Sequence, residues 1–575
     1  MPLKLEPIQL AFLVCSFFIV DFSDAYLAPI AARLPLKGTP SPPGTPWPEP
    51  MSANFSISIA TIGNRDSITF TSNLNNCSIL NSAFNRYSPD LIFRDLPVES
   101  ASGYPVFAGI EIILPSGIEN QCGEYPRLAL EEERDTYEKY ELRVEQDSDS
   151  TVTAKIQAWT VWGALRGLET FSQLIWQNGT SNNFFINISQ IVDSPRYPHR
   201  GFMIDTARHY VDIPVIETIL EAMSYTKLNV LHWHIVDDQS FPFVSKTFPE
   251  LSAKGAYLPE LTYEPEEVQD IINYARDRGI RVILEFDTPG HTHVYRKSFP
   301  QLLTPCYGDG VNPGTPSPDK HAAYEILDPT KEFTYSFMKQ LFTEIKNVTK
   351  DEFIHLGMDE VYYSCWQSSP EITAFMEQNN YTEYSQVQEH YTLRHLDMVK
   401  SLGAKPLIWH DPLEFGVNLD KDIVLQVWKK NGSDWAPYLQ HALDEGYQVI
   451  LSSPWYLNYI AYGETWREYY ESDPVLSLPN ITEDQEKLIL GGEACVWAEY
   501  ADPTNLVQRV FPYIGAIAER LWSPISTLDK NRTDDAMHRL DQHRCRLLWR
   551  GIPAQPIFNG YCFPQEKSIR RSSKK

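Results

Sequence analysis

Apolar residues follow two different rhythms along this chain. In the first part, apolar and polar positions alternate in short runs, a period of two that predicts half-buried strands. Residues 158–177 carry helical spacing instead. Together these patterns predict a small α+β domain, which we place at residues 53–195. Its predicted strands are 55–59, 109–113, 140–144 and 184–188.

The rhythm changes after Arg200. Eight uninterrupted apolar runs follow, and each is succeeded by a stretch with helical spacing. Strands buried on both faces lose their alternation, and strands that alternate with helices form parallel sheets. The pattern therefore predicts an α/β fold, a (β/α)8 TIM barrel, over residues 196–563. The predicted barrel strands are 201–207, 228–236, 281–286, 352–357, 404–409, 422–428, 448–453 and 488–496.

Residues with side chains suited to catalysis or binding lie at the ends of these apolar runs. Active sites of (β/α)8 barrels lie at the carboxyl ends of the strands. Acids, histidines and aromatic residues at nearly every end therefore indicate a functional site rather than packing. These residues are Asp205, Arg208, His234, Asp237, Asp238, Asp287, His291, Asp359, Glu360, Trp409, His410, Asp411, Trp428, Trp455, Tyr456, Trp497 and Glu499.

The most informative of these ends is His355-Leu356-Gly357-Met358-Asp359-Glu360. Two adjacent carboxyls at a strand end cannot both ionise cheaply, so we expect their pKa values to be pushed apart. One would stay anionic while the other keeps a proton. Such a pair can protonate a leaving group and stabilise a cation beside it.

Carboxylates combined with tryptophan and tyrosine are typical of a sugar site, because aromatic faces stack on pyranose rings. The reaction class is then glycoside hydrolysis, which ordinarily uses an acid and a carboxylate nucleophile on separate sides of the bond. Adjacent acids suit that arrangement poorly. A neighbouring group on the substrate is the alternative nucleophile.

The N-terminal segment predicts the route of the chain through the cell. Residues 1–25 combine Lys4, an apolar segment at 8–20 and small or polar residues after it, which is typical of a signal peptide; an uncleaved anchor is the alternative. Residues 26–52 are rich in proline and predict an extended, exposed linker. Residues 564–575 form a basic tail. No other stretch is apolar enough for a membrane span, so we expect none in the mature form.

The net charge argues against one class of partner, and the cysteines suggest a set of disulfides. The net charge of -26 and a pI of about 5.0 argue against nucleic acid, because phosphate binding needs basic patches. Cys15 belongs to the leader, and seven cysteines remain, so at least one is unpaired. Their order suggests three local pairs, Cys77–Cys122, Cys306–Cys365 and Cys545–Cys562, with Cys495 free.

Sites for N-glycosylation agree with passage through the secretory pathway. The Asn-x-Ser/Thr sequences are at Asn54, Asn76, Asn178, Asn187, Asn347, Asn380, Asn431, Asn480 and Asn531.

Six stretches of the chain resemble a known family. They are RGFMIDTARHY (200–210), LNVLHWHIVDDQSFPF (228–243), RGIRVILEFDTPGH (278–291), HLGMDE (355–360), LSSPWYLN (451–458) and LGGEACVWAEY (490–500). This set resembles glycoside hydrolase family 20, and within it the lysosomal β-N-acetylhexosaminidase subunits of animals. The resemblance extends from about residue 50 to residue 563.

The resemblance implies an exo-acting enzyme that removes terminal GlcNAc or GalNAc by retaining, substrate-assisted hydrolysis through an oxazolinium ion. It implies no cofactor and no metal, a homodimer, and a lysosomal or secreted location. It assigns Glu360 as the general acid and base, and Asp359 as the group that orients the acetamide. The remaining implied roles belong to Tyr456, which donates to the acetamide oxygen; Trp409, Trp428 and Trp497, which wall the methyl group; Arg208 and Glu499, which hold hydroxyls; and Asp237 and His291, which relay protons.

Several positions depart from the family or leave alternatives open. Met358 and Ala498 replace glycines, and we expect Met358 to need a negative φ or nearby space. Asn458 is followed by Tyr459 rather than by arginine, which predicts a preference for neutral over 6-sulfated sugars. Arg208 could merely pair with an acid.

Three further alternatives remain open, one concerning a metal site and two concerning function. His232 and His234 could suggest a metal, but no third ligand at sensible spacing is evident, so core histidines are favoured. A glycan-binding protein without catalysis and a glycosidase using Glu360 with Glu499 are the alternative functions.

Overall fold

The structure is a computed structural model that describes residues 36–562, apart from residues 95, 149, 462 and 528–531. The predicted signal peptide, the basic tail and the Asn531 site lie outside the described residues. Within the described part of the chain, no helix combines the length and the apolar character that crossing a bilayer requires.

The first domain is a seven-stranded mixed sheet with a long helix, Val161–Leu174, packed against it. The helix begins where the Thr160 hydroxyl accepts the Gly163 N–H. All its residues are buried, because the sheet and the barrel both cover it: Arg166 donates to the backbone oxygens of Arg278 and Gly279 across the domain boundary. The strands are Ser52–Ile62, Thr69–Ser72, Val106–Ile113, Tyr140–Ser148, Thr151–Ala158, Ile175–Gln177 and Phe184–Asp193, and short helices span Ser78–Arg86 and Pro89–Phe93.

The four strands predicted for this domain all lie within observed strands. The sequence reading missed Thr69–Ser72, Thr151–Ala158 and Ile175–Gln177. The last of these falls inside the stretch predicted as helical, because the chain leaves the helix at Ile175 to pair with Phe184–Asp193.

The second domain is a closed barrel of eight parallel strands, which confirms the predicted (β/α)8 fold. The first strand closes the barrel by pairing with the last, Met203 beside Cys495. The strands are His199–Asp205, Val230–Val236, Arg281–Thr288, Phe353–Gly357, Lys405–Trp409, Val424–Val427, Gln448–Leu451 and Ile489–Val496. A small hairpin of Leu303–Pro305 and Tyr324–Leu327 follows the third strand.

Helices surround the barrel and bury its outer face, which explains why its strands lack alternation. The longer ones are Ile213–Tyr225, Pro265–Arg276, Glu332–Val348, Pro370–Asn379, Tyr384–Ser401, Ala436–Asp444, Tyr513–Trp522 and Thr533–Trp549. Shorter ones are Glu250–Gly255, Ser364–Ser368, Asp411–Glu414, Thr465–Glu471, Glu483–Leu488 and Leu506–Val510.

The proline-rich segment differs from its prediction in part, because most of residues 44–50 are buried rather than exposed. Trp47 is fully buried, and its indole N–H donates to the backbone oxygen of Gly515, 3.1 Å away. The Gln173 side chain bonds both the N–H and the carbonyl of Trp47. This segment therefore packs between the first domain and the last barrel helices. A proline-rich composition carries no information on what covers the chain.

Three disulfides join Cys77 to Cys122, Cys306 to Cys365 and Cys545 to Cys562, and Cys495 is a buried free thiol. The candidate glycosylation sites divide by exposure. Asn187 is half-buried, and its side-chain oxygen accepts the indole N–H of Trp176. The exposed sites are Asn54, Asn76, Asn178, Asn347, Asn380, Asn431 and Asn480.

Candidate active site

The carboxyl ends of the barrel strands surround a pocket of about 210 Å³. Every residue given a catalytic or substrate-binding role from the sequence lines it, except Asp237, which lies buried beneath it. The other strand-end candidates that do not line it are Asp205, His234, Asp238, Asp287, His410, Asp411 and Trp455. Tyr459 lines it as well. The assigned residues on its wall are Arg208, His291, Asp359, Glu360, Trp409, Trp428, Tyr456, Asn458, Trp497 and Glu499.

An unusual backbone presents the two neighbouring acids. Gly357, Met358 and Glu360 have φ values of 70°, 78° and 48°, a region that costs a side-chain-bearing residue about 1–2 kcal/mol. Gly357 is required, because a Cβ there would lie 1.6 Å from the Asp287 carboxyl. The Met358 N–H donates to Asp287 Oδ1, 3.1 Å away, which helps to hold the turn.

Met358 departs from one of the two alternatives expected for it. Its φ is positive rather than negative, and its side chain instead occupies buried space, where the Thr392 hydroxyl lies 3.8 Å from the sulfur. Ala498 is also buried, and its N–H donates to Asp205 Oδ2. Both replacements of glycine are thus accommodated without closing the pocket.

Asp359 and Glu360 differ in environment. Asp359 is 5% exposed, and burial, with a contribution from Asp411, raises its pKa to about 6. The Glu360 side chain is 37% exposed, and the nearby His291 imidazolium outweighs burial and lowers its pKa. The two pKa values are therefore separated, and in the free enzyme Asp359, the deeper acid, keeps its proton to a higher pH than Glu360 and is charged above about pH 6.

His291 connects the two acids to a buried carboxylate. Its Nδ1 lies 3.2 Å from Asp237 Oδ1, and its Nε2 lies 3.5 Å from Glu360 Oε2 and 3.6 Å from Asp359 Oδ2. Burial lowers the pKa of His291, but Asp237, Asp287 and Asp359 outweigh it and raise the pKa well above its usual value. The site thus contains a charged imidazolium within reach of both acids.

Aromatic rings form an apolar wall beside Asp359. The indole N–H of Trp409 donates to Glu285 Oε1 at 2.8 Å, and that of Trp428 donates to Asp411 Oδ2 at 2.7 Å. Trp497 lies 6.0 Å from Trp409, centroid to centroid. Because the polar edges of two rings are bonded to acids, carbon surface remains to line this part of the pocket.

Arg208 is held by two acids, with 2.9 Å to Asp205 Oδ2 and 2.8 Å to Asp237 Oδ2. The alternative that it pairs with acids at the top of the barrel therefore describes real contacts. Its guanidinium also lies 4.9 Å from the Trp497 ring and lines the pocket. Pairing fixes the cation at the wall rather than removing it from the site.

Three acids support the site; the sequence had suggested a structural role for Asp287, with Asp238, as an acid bridging loops, but no such role for Asp411 or Glu285. Asp411 accepts the Glu360 N–H and the Trp428 indole, Asp287 accepts the Met358 N–H, and Glu285 accepts the Trp409 indole. Asp411 and Asp287 stood among the strand-end residues, so position alone could have suggested them. Glu285 lies inside a strand, where no sequence pattern marks it.

Glu285 is a third group near the two histidines that sequence spacing did not make evident, and both histidines are buried in the barrel, as the favoured interpretation expected. Its carboxylate lies 2.8 Å from His232 Nε2 and 2.6 Å from His234 Nδ1, and His355 Nδ1 is 3.0 Å away. Parallel neighbouring strands bring these residues together from distant parts of the sequence.

The Asp359–Glu360 pair predicts the pH dependence of turnover. A working pair needs one proton and one charge, and the proton is lost as the pH rises through about 6, the pKa of Asp359. We expect kcat/KM to fall above that pH. Hydrolysis of an aryl N-acetyl-β-glucosaminide from about pH 4 to about pH 8 measures this limb. A flat profile across neutrality would contradict it.

The fold and the site together define a glycoside hydrolase built on a (β/α)8 barrel. Residues 197–525 match the catalytic domain of glycosyl hydrolase family 20, and residues 46–174 match a domain described as beta-acetyl hexosaminidase like. The chain belongs to glycosyl hydrolase family 20, which confirms the resemblance.

Relatives extend over nearly the whole chain. The beta-hexosaminidase subunit beta of Felis catus is 40% identical over 545 residues, which cover 94% of this chain and 97% of that protein. The subunit alpha of Rattus norvegicus is 42% identical over 490 residues, covering 84% and 88%.

Solved structures agree on the architecture. The chitobiase of Flavobacterium johnsoniae superposes with a TM-score of 0.70 at 27% identity, covering 91% of this chain and 74% of that one. The β-N-acetylhexosaminidase of Streptomyces coelicolor gives 0.67 at 23% identity, covering 91% and 100%. At that identity the second likeness supports the fold alone.

Proposed function

We propose that this protein is an exo-acting β-N-acetylhexosaminidase that removes terminal GlcNAc or GalNAc by substrate-assisted, retaining hydrolysis. One observation carries the proposal: a deep carboxyl, Asp359, stands beside an aromatic wall, and a second carboxyl, Glu360, stands at the more open side next to His291. A 2-acetamido group offers an N–H for the first and a methyl group for the wall.

The acetamide oxygen is the proposed nucleophile. Asp359 accepts the acetamide N–H, which requires its carboxylate form, so substrate binding moves the proton of the pair from Asp359 to Glu360. Tyr456, which is buried and lies against Trp428, donates to the acetamide oxygen. As that oxygen forms a bond to the anomeric carbon, the Asp359 charge stabilises the positive oxazolinium ion.

Glu360 completes both halves of the reaction. Its proton goes to the glycosidic oxygen as the bond to the leaving group breaks, and the resulting carboxylate then takes a proton from the attacking water. His291, held by Asp237, keeps a positive charge beside Glu360 in its anionic form. Configuration is retained because the anomeric carbon is attacked twice.

Substrate recognition follows from the remaining residues. Arg208, fixed by its two acids, presents its guanidinium to sugar hydroxyls, and the exposed Glu499 accepts from them at the mouth. Trp409, Trp428 and Trp497 enclose the methyl group. No cofactor takes part in this scheme, and the partner is a β-linked glycan.

Location and assembly extend the proposal. The leader sequence, the disulfides and the exposed Asn-x-Ser/Thr sites favour the secretory pathway, with a lysosomal or secreted destination. We propose a homodimer, in line with the family resemblance.

Hydrolysis of 4-nitrophenyl N-acetyl-β-glucosaminide, with and without a thiazoline mimic of the cyclic ion, tests the function. Substrate-assisted turnover predicts release of nitrophenol with strong inhibition by the thiazoline, because the mimic resembles the transition state. Turnover without that inhibition would favour the mechanism with two separated carboxylates. Sugar binding without turnover would favour the glycan-binding alternative.

A preference for neutral sugars is a second expectation. Arg208 and His291 are already paired with carboxylates, and Glu499 adds negative charge at the mouth. We expect kcat/KM for a 6-sulfated aryl glucosaminide to be lower by about tenfold or more, since an unpaired anion disfavours binding. The exposed ammonium of Lys430 lies 4.7 Å from the ring of Tyr459, which lines the pocket. Lys430→Ala tests whether this cation affects the rate on the sulfated substrate. Equal rates on both substrates would contradict the expectation.

A further inference from the structure

A line of buried histidines and carboxylates continues downward from the pocket into the barrel, beyond the residues used above. It is unusual because charged groups are rarely buried unless they are paired. Its successive contacts are His291–Asp237 at 3.2 Å, Asp237–His234 at 2.8 Å, His234–Glu285 at 2.6 Å, Glu285–His232 at 2.8 Å and His232–Glu493 at 2.6 Å.

Glu285 is the branch point of this line. Its Oε2 faces the nitrogens of His232 and His234, while its Oε1 accepts the indole N–H of Trp409 at 2.8 Å. The carboxylate is fully buried, and although burial alone would raise its pKa, His355, His234 and His232 hold it well below the usual range. The Glu285 carboxylate therefore contacts both Trp409, which belongs to the aromatic wall, and His234, which contacts Asp237.

His234 carries the second branch. Its two ring nitrogens each face a carboxylate, Glu285 on one side and Asp237 on the other, so only the imidazolium donates to both. Burial lowers the pKa of His234, but Glu285 and Asp237 outweigh it and raise the pKa to about 10. The imidazolium thus fixes the rotamer of Asp237, which in turn holds Arg208 and His291.

We propose that Glu285 is a positioning residue that couples the two halves of the active site, setting the Trp409 wall through one oxygen and the Asp237–His291 pair through the other. This inference rests on the proposed function. A carboxylate is needed because an amide has one acceptor oxygen, so glutamine would leave either the Trp409 indole or His234 facing an N–H group. The same change removes the charge that keeps His234 cationic.

The test compares Glu285→Gln with Glu493→Gln. Both substitutions make the same chemical change at a fully buried strand carboxylate that faces His232, but Glu493 contacts His199, His232 and Gln426, none of which lines the pocket. Loss of stability is therefore expected in both variants and is measured as Tm. Loss of catalysis is expected only in Glu285→Gln.

Three readouts separate positioning from simple destabilisation. For folded Glu285→Gln, we expect kcat/KM on 4-nitrophenyl N-acetyl-β-glucosaminide to fall about 10–100-fold, the scale of a misplaced reacting group. The loss on N,N'-diacetylchitobiose should be larger, because that leaving group depends more on the placed proton. The thiazoline inhibition constant should rise by about tenfold, since its methyl group meets a displaced Trp409. Glu493→Gln should stay within about threefold of wild type in all three.

Equal losses in the two variants, or unchanged kinetics in folded Glu285→Gln, would overturn the proposal. If Glu285→Gln does not fold, Trp409→Phe and His234→Gln test the two branches separately: the first should weaken the thiazoline, and the second should reduce turnover of chitobiose more than that of the nitrophenyl substrate. Wild-type kinetics in both would overturn it equally. A wild-type enzyme with no turnover would instead remove the proposed function.

Discussion

Glu360→Gln is expected to reduce kcat on N,N'-diacetylchitobiose by about 10²–10⁴-fold, the usual contribution of a positioned general acid. The amide keeps the shape of the side chain and its place beside His291, 3.5 Å from the present carboxylate, but it has no proton to give to a departing sugar oxygen. The loss on the 4-nitrophenyl substrate should be smaller, because nitrophenolate leaves with little help. Comparing kcat on the two substrates measures the difference.

The matched control is Glu499→Gln, the same chemical change at an exposed carboxylate on the same pocket. Removing a group that holds a hydroxyl should act mainly on KM. If Glu499→Gln lost as much kcat as Glu360→Gln, the two residues would be acting as the separated acid and nucleophile of an ordinary retaining glycosidase. That outcome would contradict the role assigned to the acetamide.

The architecture was predictable from sequence to the extent that burial determines the pattern of residues. All eight barrel strands were located, because continuous apolar runs are what burial on both faces requires. The ends were less accurate. Residues 206–207 and 452–453 were predicted as strand, whereas the ladder ends at Asp205 and Leu451. Where a ladder ends depends on which backbone groups pair, and periodicity does not reveal that.

The residues of the site were predictable from the sequence, but the contacts between them were not. Strand-end position and family resemblance together named the residues that line the pocket. Neither source could show that Glu285, in the middle of a strand, joins Trp409 to His234, because that contact depends on the register between neighbouring strands and on side-chain direction. The burial of Trp47 escaped prediction for a similar reason, since its partners Gln173 and Gly515 are 126 and 468 residues away in the sequence.

Asp359→Asn is expected to lower kcat by about 10²–10³-fold, the effect of removing one group preorganised for developing charge. In the proposed mechanism the carboxylate faces the position where the oxazolinium charge forms, and because Asp359 is buried, its attraction is little screened by water. Affinity for the thiazoline mimic should fall in parallel, because the protonated mimic carries the same charge. Steady-state kinetics and thiazoline inhibition measure both effects in one preparation.

Asp287→Asn supplies the control, and it uses the difference between two buried carboxyls that lie against each other. Burial, and next the charge of Asp359, raise the pKa of Asp287 well above its usual value, so this side chain is already neutral. Asparagine reproduces a neutral group that still accepts the Met358 N–H, and we expect less than about a tenfold loss. A loss as large as that of Asp359→Asn would mean that Asp287 carries the charge and Asp359 the proton. The two variants therefore assign the charged member of the pair, and with it the residue that opposes the cation during turnover.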